Sequence, residues 1–368
     1  MKQITINDLG KVITGHTPPT NETKYYGDYM PFIKPTDISK LTRYTYKPEQ
    51  YYSEEAAKKY ANSLIPKGST LVVCIGTIGE KITQAHTNLF TNQSINSIIP
   101  NDNFDKDYVY YLLKYNLGNL KALNKGTASG REFVSKSAFL NMALNVHENL
   151  STQKRIAEIL SGYDDLIENN LKQISLLEES AARLYKHFFS SPKKDNGKGE
   201  IIKLKDICPI ITGKKDANYA DNNGKYPFFT CSQQPLRCNN YSFDASAVLL
   251  AGNGDLNVKL YRGKFEAYQR TYVLIPNKEE YLFALYHTLI ECLNELKAKA
   301  NGSTIKFITL SILQNIEIKI PSKEILNKFN EIRFPIQQKL ETLHKSIELY
   351  RESRDLLLPK LMSGELQV

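Results

Sequence analysis

The sequence is poor in the residues and spacings that anchor extracellular scaffolds, metal sites and enzymes. Its 368 residues include five cysteines: Cys74, Cys208, Cys231, Cys238 and Cys292. The number is odd, the positions are scattered and no C-x-x-C pair occurs, so neither a disulfide framework nor a zinc site is indicated. Cys231 and Cys238 have no histidine partner at ligand spacing. Free thiols fit a reducing, cytoplasmic compartment. No run of about 18 apolar residues is present, so no membrane span is expected. The opening Met1-Lys2-Gln3-Ile4-Thr5 has no apolar signal region.

Catalytic signatures are equally scarce. There is no G-x-x-x-x-G-K-[ST] phosphate loop, no G-x-G-x-x-G cofactor loop and no H-E-x-x-H. The spacing of Gly76-Thr77-Ile78-Gly79-Glu80-Lys81 is wrong for a phosphate loop and fits a strand-turn glycine pair. Thr17-Pro18-Pro19-Thr20 lacks the Asn or Asp that amino-group methyltransferases place before two prolines. Pro35-Thr36-Asp37-Ile38-Ser39-Lys40 has a carboxylate and a lysine, as nuclease sites do. No second metal-binding acid follows it at usable spacing. The expectation is a chain with no catalytic residue, no metal and no cofactor of its own.

What is present is a packed, basic protein. Hydrophobic residues make up 41% of the chain, enough for a sizeable core. Lysine and arginine outnumber aspartate and glutamate by 48 to 39, a net charge of +9. That balance favours a polyanionic partner, nucleic acid foremost, although a solvated basic surface would produce it too.

The chain also repeats itself. Ile4-Thr5-Ile6-Asn7-Asp8-Leu9 followed by Val12-Ile13-Thr14-Gly15 matches Ile202-Lys203-Leu204-Lys205-Asp206-Ile207 followed by Ile210-Ile211-Thr212-Gly213. The shift from Asp8 to Asp206 is 198 positions. Gly27 to Phe32 resembles Gly224 to Phe228. Leu71 to Gly76 resembles Val248 to Gly252, both apolar runs ended by glycine, as buried strands meeting turns are. Gln93 through Asn101 matches Gln269 through Asn277, now 176 positions apart. Helical segments follow at Tyr108 to Leu113 and Tyr281 to Tyr286. Polar glycine loops come next, Gly126-Thr127-Ala128-Ser129-Gly130 and Gly302-Ser303-Thr304.

Each half closes with a helical region, related by a shift of 173 from Glu179 to Glu352. Alternating three- and four-residue steps pick out Ile167, Asn170, Ile174, Leu177, Ala181, Leu184 and Phe188. In the second half they pick out Leu340, Leu343, Ile347, Tyr350, Arg354, Leu357 and Leu361. This is a mostly apolar a/d seam, as a coiled coil requires. The same register pairs Gly162 with Pro335, both helix breakers. A short helix (Thr152 to Ser161, and Lys323 to Arg333) followed by a long one (Tyr163 to Phe189, and Ile336 to Met362) is therefore expected. Pro359 should kink or loosen the last turn of the second long helix. Ser190 through Gly199 reads as a polar linker.

The organisation expected is α+β with a pseudo-twofold internal repeat. A first globular domain spans 1–150 and a first helical spacer 151–190. A linker covers 191–200, a second globular domain 201–321 and a second spacer 322–368. If the long helices pack as an antiparallel coiled coil, each domain sits at one end of a shared rod. A 27-residue helix is roughly 40 Å long, close to the 34–36 Å between successive turns of B-DNA on one face. Two reading domains on such a rod would read a split site. Because the halves differ in sequence, that site would be asymmetric.

The arrangement resembles the specificity subunits of type I restriction-modification systems. Leu9-Gly10 through Thr14-Gly15-His16-Thr17-Pro18 looks like the opening of a target-recognition domain, and Tyr29 through Ile38 like its following strand and polar loop. Gly76-Thr77-Ile78-Gly79 and Asn92-Gln93-Ser94 look like its central turn and next strand. Gln153 through Leu160 looks like the start of the helical spacer, and Leu357 through Leu366 is similar to the family's C-terminus. The second half departs from the pattern. Cys231-Ser232-Gln233 stands where Pro35-Thr36-Asp37 would, and the Gln153-Lys154-Arg155 motif is degenerate near Leu326-Asn327-Lys328. The resemblance implies a non-catalytic, DNA-binding subunit. It implies docking to two adenine methyltransferase subunits and to motor-nuclease subunits. S-adenosylmethionine, ATP and magnesium would then act in those partners.

Phosphates are met by lysine and arginine, and base edges by these and by small polar side chains. In the first domain the candidates are Thr17, Lys34, Thr36, Arg43, Lys81, Gly126, Thr127, Ser129 and Arg131. In the second they are Lys214, Lys215, Gln233, Arg237, Lys259, Arg262, Ser303, Thr304 and Lys306. Two other readings remain open: a self-contained methyltransferase or nuclease with a fused recognition domain, and a coiled-coil interaction scaffold with lectin-like domains.

Overall fold

The computed structural model describes residues 1–124, 132–189, 199–299 and 307–368. The expected linker at 191–200 lies almost wholly outside them, and so do both glycine loops.

The first half opens with β1 (Lys2–Thr5), a single-turn α1 (Ile6–Leu9) and β2 (Gly10–Thr14). Thr5 starts the turn: its backbone N–H and its hydroxyl both donate to the Asp8 carboxylate, at 2.8 and 2.7 Å. There follow β3 (Tyr26–Gly27), β4 (Met30–Ile33), β5 (Gln50–Tyr52), α2 (Glu54–Lys59), β6 (Thr70–Val73), β7 (Ile82–Gln84), β8 (Phe90–Thr91) and β9 (Ile95–Pro100). Then come α3 (Lys106–Tyr115), α4 (Lys136–Leu140), β10 (Ala143–Val146) and α5 (Leu150–Phe189). The second half has β11 (Glu200–Lys203), α6 (Leu204–Ile207), β12 (Ile210–Thr212), β13 (Tyr226–Phe229), β14 (Leu236–Cys238), β15 (Phe243–Ala251), β16 (Val258–Ala267) and β17 (Thr271–Leu274). It ends with α7 (Leu282–Lys299), α8 (Leu310–Gln314), β18 (Glu317–Ile320) and α9 (Lys323–Ser363).

The two halves share one topology. The strand order β2-β9-β6-β7 recurs as β12-β17-β15-β16. The antiparallel pair β1/β10 recurs as β11/β18, and the parallel pair β4/β8 as β13/β16. Individual hydrogen bonds recur too. Ile6 N–H donates to Met142 O as Leu204 N–H donates to Ile316 O. Asn101 N–H donates to Leu9 O as Asn277 N–H donates to Ile207 O. The α+β class and the internal repeat read from the sequence are thus present in the fold.

The chain forms two compact units, Met1–Gln173 with Thr342–Val368, and Ile174–Glu341. In the first, α3 and the strands bury their apolar faces with Ile156, Leu160, Leu358 and Leu361 of the long helices. In the second, Leu204, Leu250, Leu274 and Leu285 close on Tyr185, Phe189 and Phe329. Within each unit the segments of α5 and α9 run antiparallel. In the first, the His147 ring, just before α5, bonds Leu361 O at 3.0 Å, while Asp164 further along pairs with the earlier Arg354. In the second, Tyr185 meets Phe329. All fourteen seam residues named above are buried or half-buried.

One expectation fails. Neither long helix breaks: α5 runs unbroken through Gly162, and α9 through Pro335 and Pro359. All three residues lie on the exposed face. A proline there frees a carbonyl that water can satisfy. The glycine's cost of about 1 kcal/mol is outweighed by the buried residues on either side, Leu160 and Asp164 among them.

Candidate nucleic-acid interface

Two loops per domain are held against the central sheet by matching contacts. The first follows β2 and β12. Gly15 N–H donates to Ile95 O, and Gly213 N–H donates to Thr271 O, both at 3.2 Å. These loops run so close to a neighbouring backbone that a Cβ on Gly15 would lie 2.2 Å from Thr91 O, and one on Gly213 1.9 Å from Ala267 O. The Thr17 hydroxyl then donates to Gln93 Oε1 at 2.5 Å. In the second domain the equivalent Gln269 donates to Asp216 at 2.7 Å. The sequence marks this glutamine pair as a repeat and Gln93 as part of a family-like motif, but carries no sign of its tethering role. Lys214 is exposed beside this loop, and Lys215 lies over the Tyr219 ring, 4.5 Å from its centroid.

The second loop follows β4 and β13. Asp37 shapes it in the first domain, accepting from Lys34 N–H at 2.7 Å and Glu49 N–H at 3.0 Å. Lys81 Nζ donates to Pro35 O at 2.6 Å, and Lys34 pairs with Glu49 at 3.0 Å. Thr36 is exposed in this loop. In the second domain Lys259, 178 positions after Lys81, donates to Ser232 O at 2.8 Å and to Asn257. Burial lowers its pKa to about 8. Gln233 donates to Asp255 Oδ2 at 2.6 Å, and Asn257 donates to Cys231 O at 3.0 Å. The polar cluster Asn253, Asp255 and Asn257 was not singled out in the sequence, although a glycine-punctuated polar run there was a signal for it. Lys81 and Lys259 therefore act first as pins on the polar loops.

The structure brings Thr17, Lys34 and Thr36 onto two neighbouring loops of one domain and Lys214, Lys215 and Gln233 onto their counterparts, while Lys81, in the turn before β7, and Lys259, on β16, reach the second loop of each domain through their side chains. Arg237 is exposed on β14 and donates to Gly224 O at 3.1 Å. Arg262 points elsewhere: it lies over Phe334 of α9, 4.8 Å from the ring centroid, and 3.7 Å from Glu279. Arg43 requires a correction. It is 2% exposed, donates to Gln84 Oε1 at 2.8 Å and pairs with Asp107 at 2.5 Å among the rings of Tyr44, Tyr110 and Tyr111. An arginine so enclosed is a core residue and cannot meet a phosphate. Gly126, Thr127, Ser129, Arg131, Ser303, Thr304 and Lys306 lie outside the described residues. Their loops are flanked by equivalent bridges, Ile75 with Phe133 and Asn253 with Phe307.

Among the described residues no group of three or more His, Cys, Asp or Glu is placed to hold a metal ion. Among them, too, no helix is long and apolar enough to cross a membrane. What the geometry does provide is one polar, lysine-bearing loop pair built twice on one sheet topology, the form of a duplicated recognition module.

Comparison with known proteins identifies that module. The type I restriction modification DNA specificity domain matches the chain twice, over residues 1–179 and 196–351. The chain belongs to this family, and its role is DNA target recognition in a type I restriction-modification system. It is 29% identical to the type I restriction enzyme MjaIX specificity subunit of Methanocaldococcus jannaschii, over 99% of this chain and 93% of that protein. It is 40% identical to the EcoDI specificity subunit of Escherichia coli over 45% of this chain and 38% of that one. The crystal structure of the type I S subunit from M. genitalium has the same fold, with a TM-score of 0.62 at 20% identity over 98% of this chain and 95% of that one.

Proposed function

We propose that this chain is the non-catalytic reading subunit of its complex, and that it recognises a split, asymmetric DNA site. Each half reads one segment. The observation that carries this is the duplication of one strand order with different side chains on equivalent loops: Pro35-Thr36-Asp37 in one domain, Cys231-Ser232-Gln233 in the other. Equivalent scaffolds present equivalent edges to DNA, and different side chains read different bases.

Methylation and cleavage fall to partners in this reading. Two adenine methyltransferase subunits dock, one per half, and motor-nuclease subunits join them. S-adenosylmethionine, ATP and magnesium act there, in the cytoplasm. The test is to co-express the chain with the methyltransferase encoded beside it, purify the complex and footprint it on DNA carrying the methylated site. Two protected segments separated by an accessible spacer support the proposal. A single continuous footprint, or retention of labelled S-adenosylmethionine by the chain alone, overturns it.

A further inference from the structure

In the first unit the helix pair holds a buried ion pair between α5 and α9, and the equivalent positions of the second half do not repeat it. Asp164 of α5 is 1% exposed and Arg354 of α9 is 4% exposed. The Arg354 guanidinium bonds Asp164 Oδ1, and the Tyr111 hydroxyl of the globular part donates to Asp164 Oδ2 at 2.6 Å. Arg354 also bonds Asp355, its exposed neighbour on the same helix, at 2.8 Å. The shift of 173 places Gln337 where Asp164 stands and Ala181 where Arg354 stands. Both are buried in the second unit, so the equivalent place there holds no ion pair. The rest of the register is kept: Tyr185 and Phe329 of the second unit correspond to Leu358 and Ile156 of the first, all four in the cores.

We infer that Asp164 and Arg354 form a pairing code by which the first-half helix accepts a second-half helix and refuses its own kind. The two halves have the same fold and the same apolar seam, so nothing in shape alone prevents like halves of two copies from pairing. Charge prevents it. Against the first half of a second copy, Asp164 would face that copy's Ala181 and lose its ion pair, keeping the Tyr111 hydrogen bond. Against a second-half helix, Arg354 would face Gln337 and keep only Asp355 beside it. Removing one partner of a buried pair is far more damaging than never having built the pair, because an uncompensated charge stays buried. A polar residue at a seam position sets register and partner choice in the same way. A duplicated chain thus assembles one of each module and not two alike, which a two-part asymmetric reader requires.

The experiment uses full-length chains and needs no DNA or partner subunit. Arg354→Asp sets two carboxylates against each other, and Asp164→Arg sets two guanidiniums. Expressed alone, each variant should lose at least about tenfold in its folded-to-unfolded ratio. Co-expressed with different tags, the two can exchange halves, since the first half of the Arg354→Asp chain matches the second half of the Asp164→Arg chain. They should then copurify as a particle of twice the single-chain mass on native mass spectrometry. Both substitutions in one chain should restore wild-type mass and most of the stability. Single variants as stable as wild type, failure to copurify, or no recovery in the double variant would each overturn the pairing code.

Discussion

Gly15 and Gly213 occupy one position in two copies of a fold, and each has a neighbouring carbonyl oxygen about 2 Å from where a Cβ would be (Thr91 O at 2.2 Å, Ala267 O at 1.9 Å). The obstructing atoms are backbone, so they cannot swing aside as a flexible side chain could. Gly15→Ala and Gly213→Ala should each destabilise by about 2–3 kcal/mol or more by prying the loop from the sheet. Denaturant melts of the two variants check this, and midpoints within error of wild type would contradict it.

Arg43 is the opposite of a surface contact. Arg43→Ala should cost about 2–4 kcal/mol, from the cavity and from the buried Gln84 Oε1 left without its donor. Chains that do fold should read the same DNA sequence as before. A methylated motif altered in the first segment, with stability unchanged, would return Arg43 to the interface.

Arg131, outside the described residues, is the side-chain candidate for base contact that the sequence favours most. Arg131→Ala should weaken specific DNA binding by about 1–3 kcal/mol without changing stability. Titration of the assembled complex on cognate and scrambled duplexes measures this directly. Equal affinities for wild type and variant would remove the residue from the site.

His287 gives the second unit an acid sensitivity. It is buried between Tyr185, whose ring stacks 5.1 Å away, and Arg333, whose Nε donates to His287 Nε2 at 3.3 Å. Burial, and then the Arg333 charge, push its pKa from the ordinary 6.5 down to about 3. The folded state therefore keeps the ring neutral while the unfolded chain protonates. The stability that neutrality provides is complete above about pH 6.5 and is lost as the pH falls towards 3. The loss is about 1.4 kcal/mol for each pH unit in that window. His287→Gln should flatten the fall between pH 7 and 4 in urea titrations. An identical slope in the variant would mean that His287 does not carry it.

Much of the architecture was legible because the sequence writes it twice. A single short apolar run ending in glycine is ambiguous, but Leu71 to Gly76 and Val248 to Gly252 disambiguate each other. The a/d seam was readable for the same reason. The breaks expected at Gly162 and Pro335 were misread because breaker chemistry acts locally, whereas a helix with one face buried along its whole length keeps that face packed across a solvent-side defect. The candidate site was less legible. Arg43 looks like any surface arginine until the chain folds Tyr110, Tyr111 and Asp107 around it. Lys81 and Lys259 carry no sequence mark of the carbonyls they pin, since those carbonyls come from strands and loops far along the chain.

The most direct measurement is a genome-wide map of N6-methyladenine, by single-molecule sequencing, in a methylation-free host carrying this gene and its neighbours. The expected result is one split, asymmetric motif that vanishes when this gene alone is deleted. Exchange of residues 200–320 for those of a relative should then change only one segment of the motif. A continuous palindrome, or a motif that survives deletion of this gene, would contradict the reading of one duplicated chain as two different DNA readers.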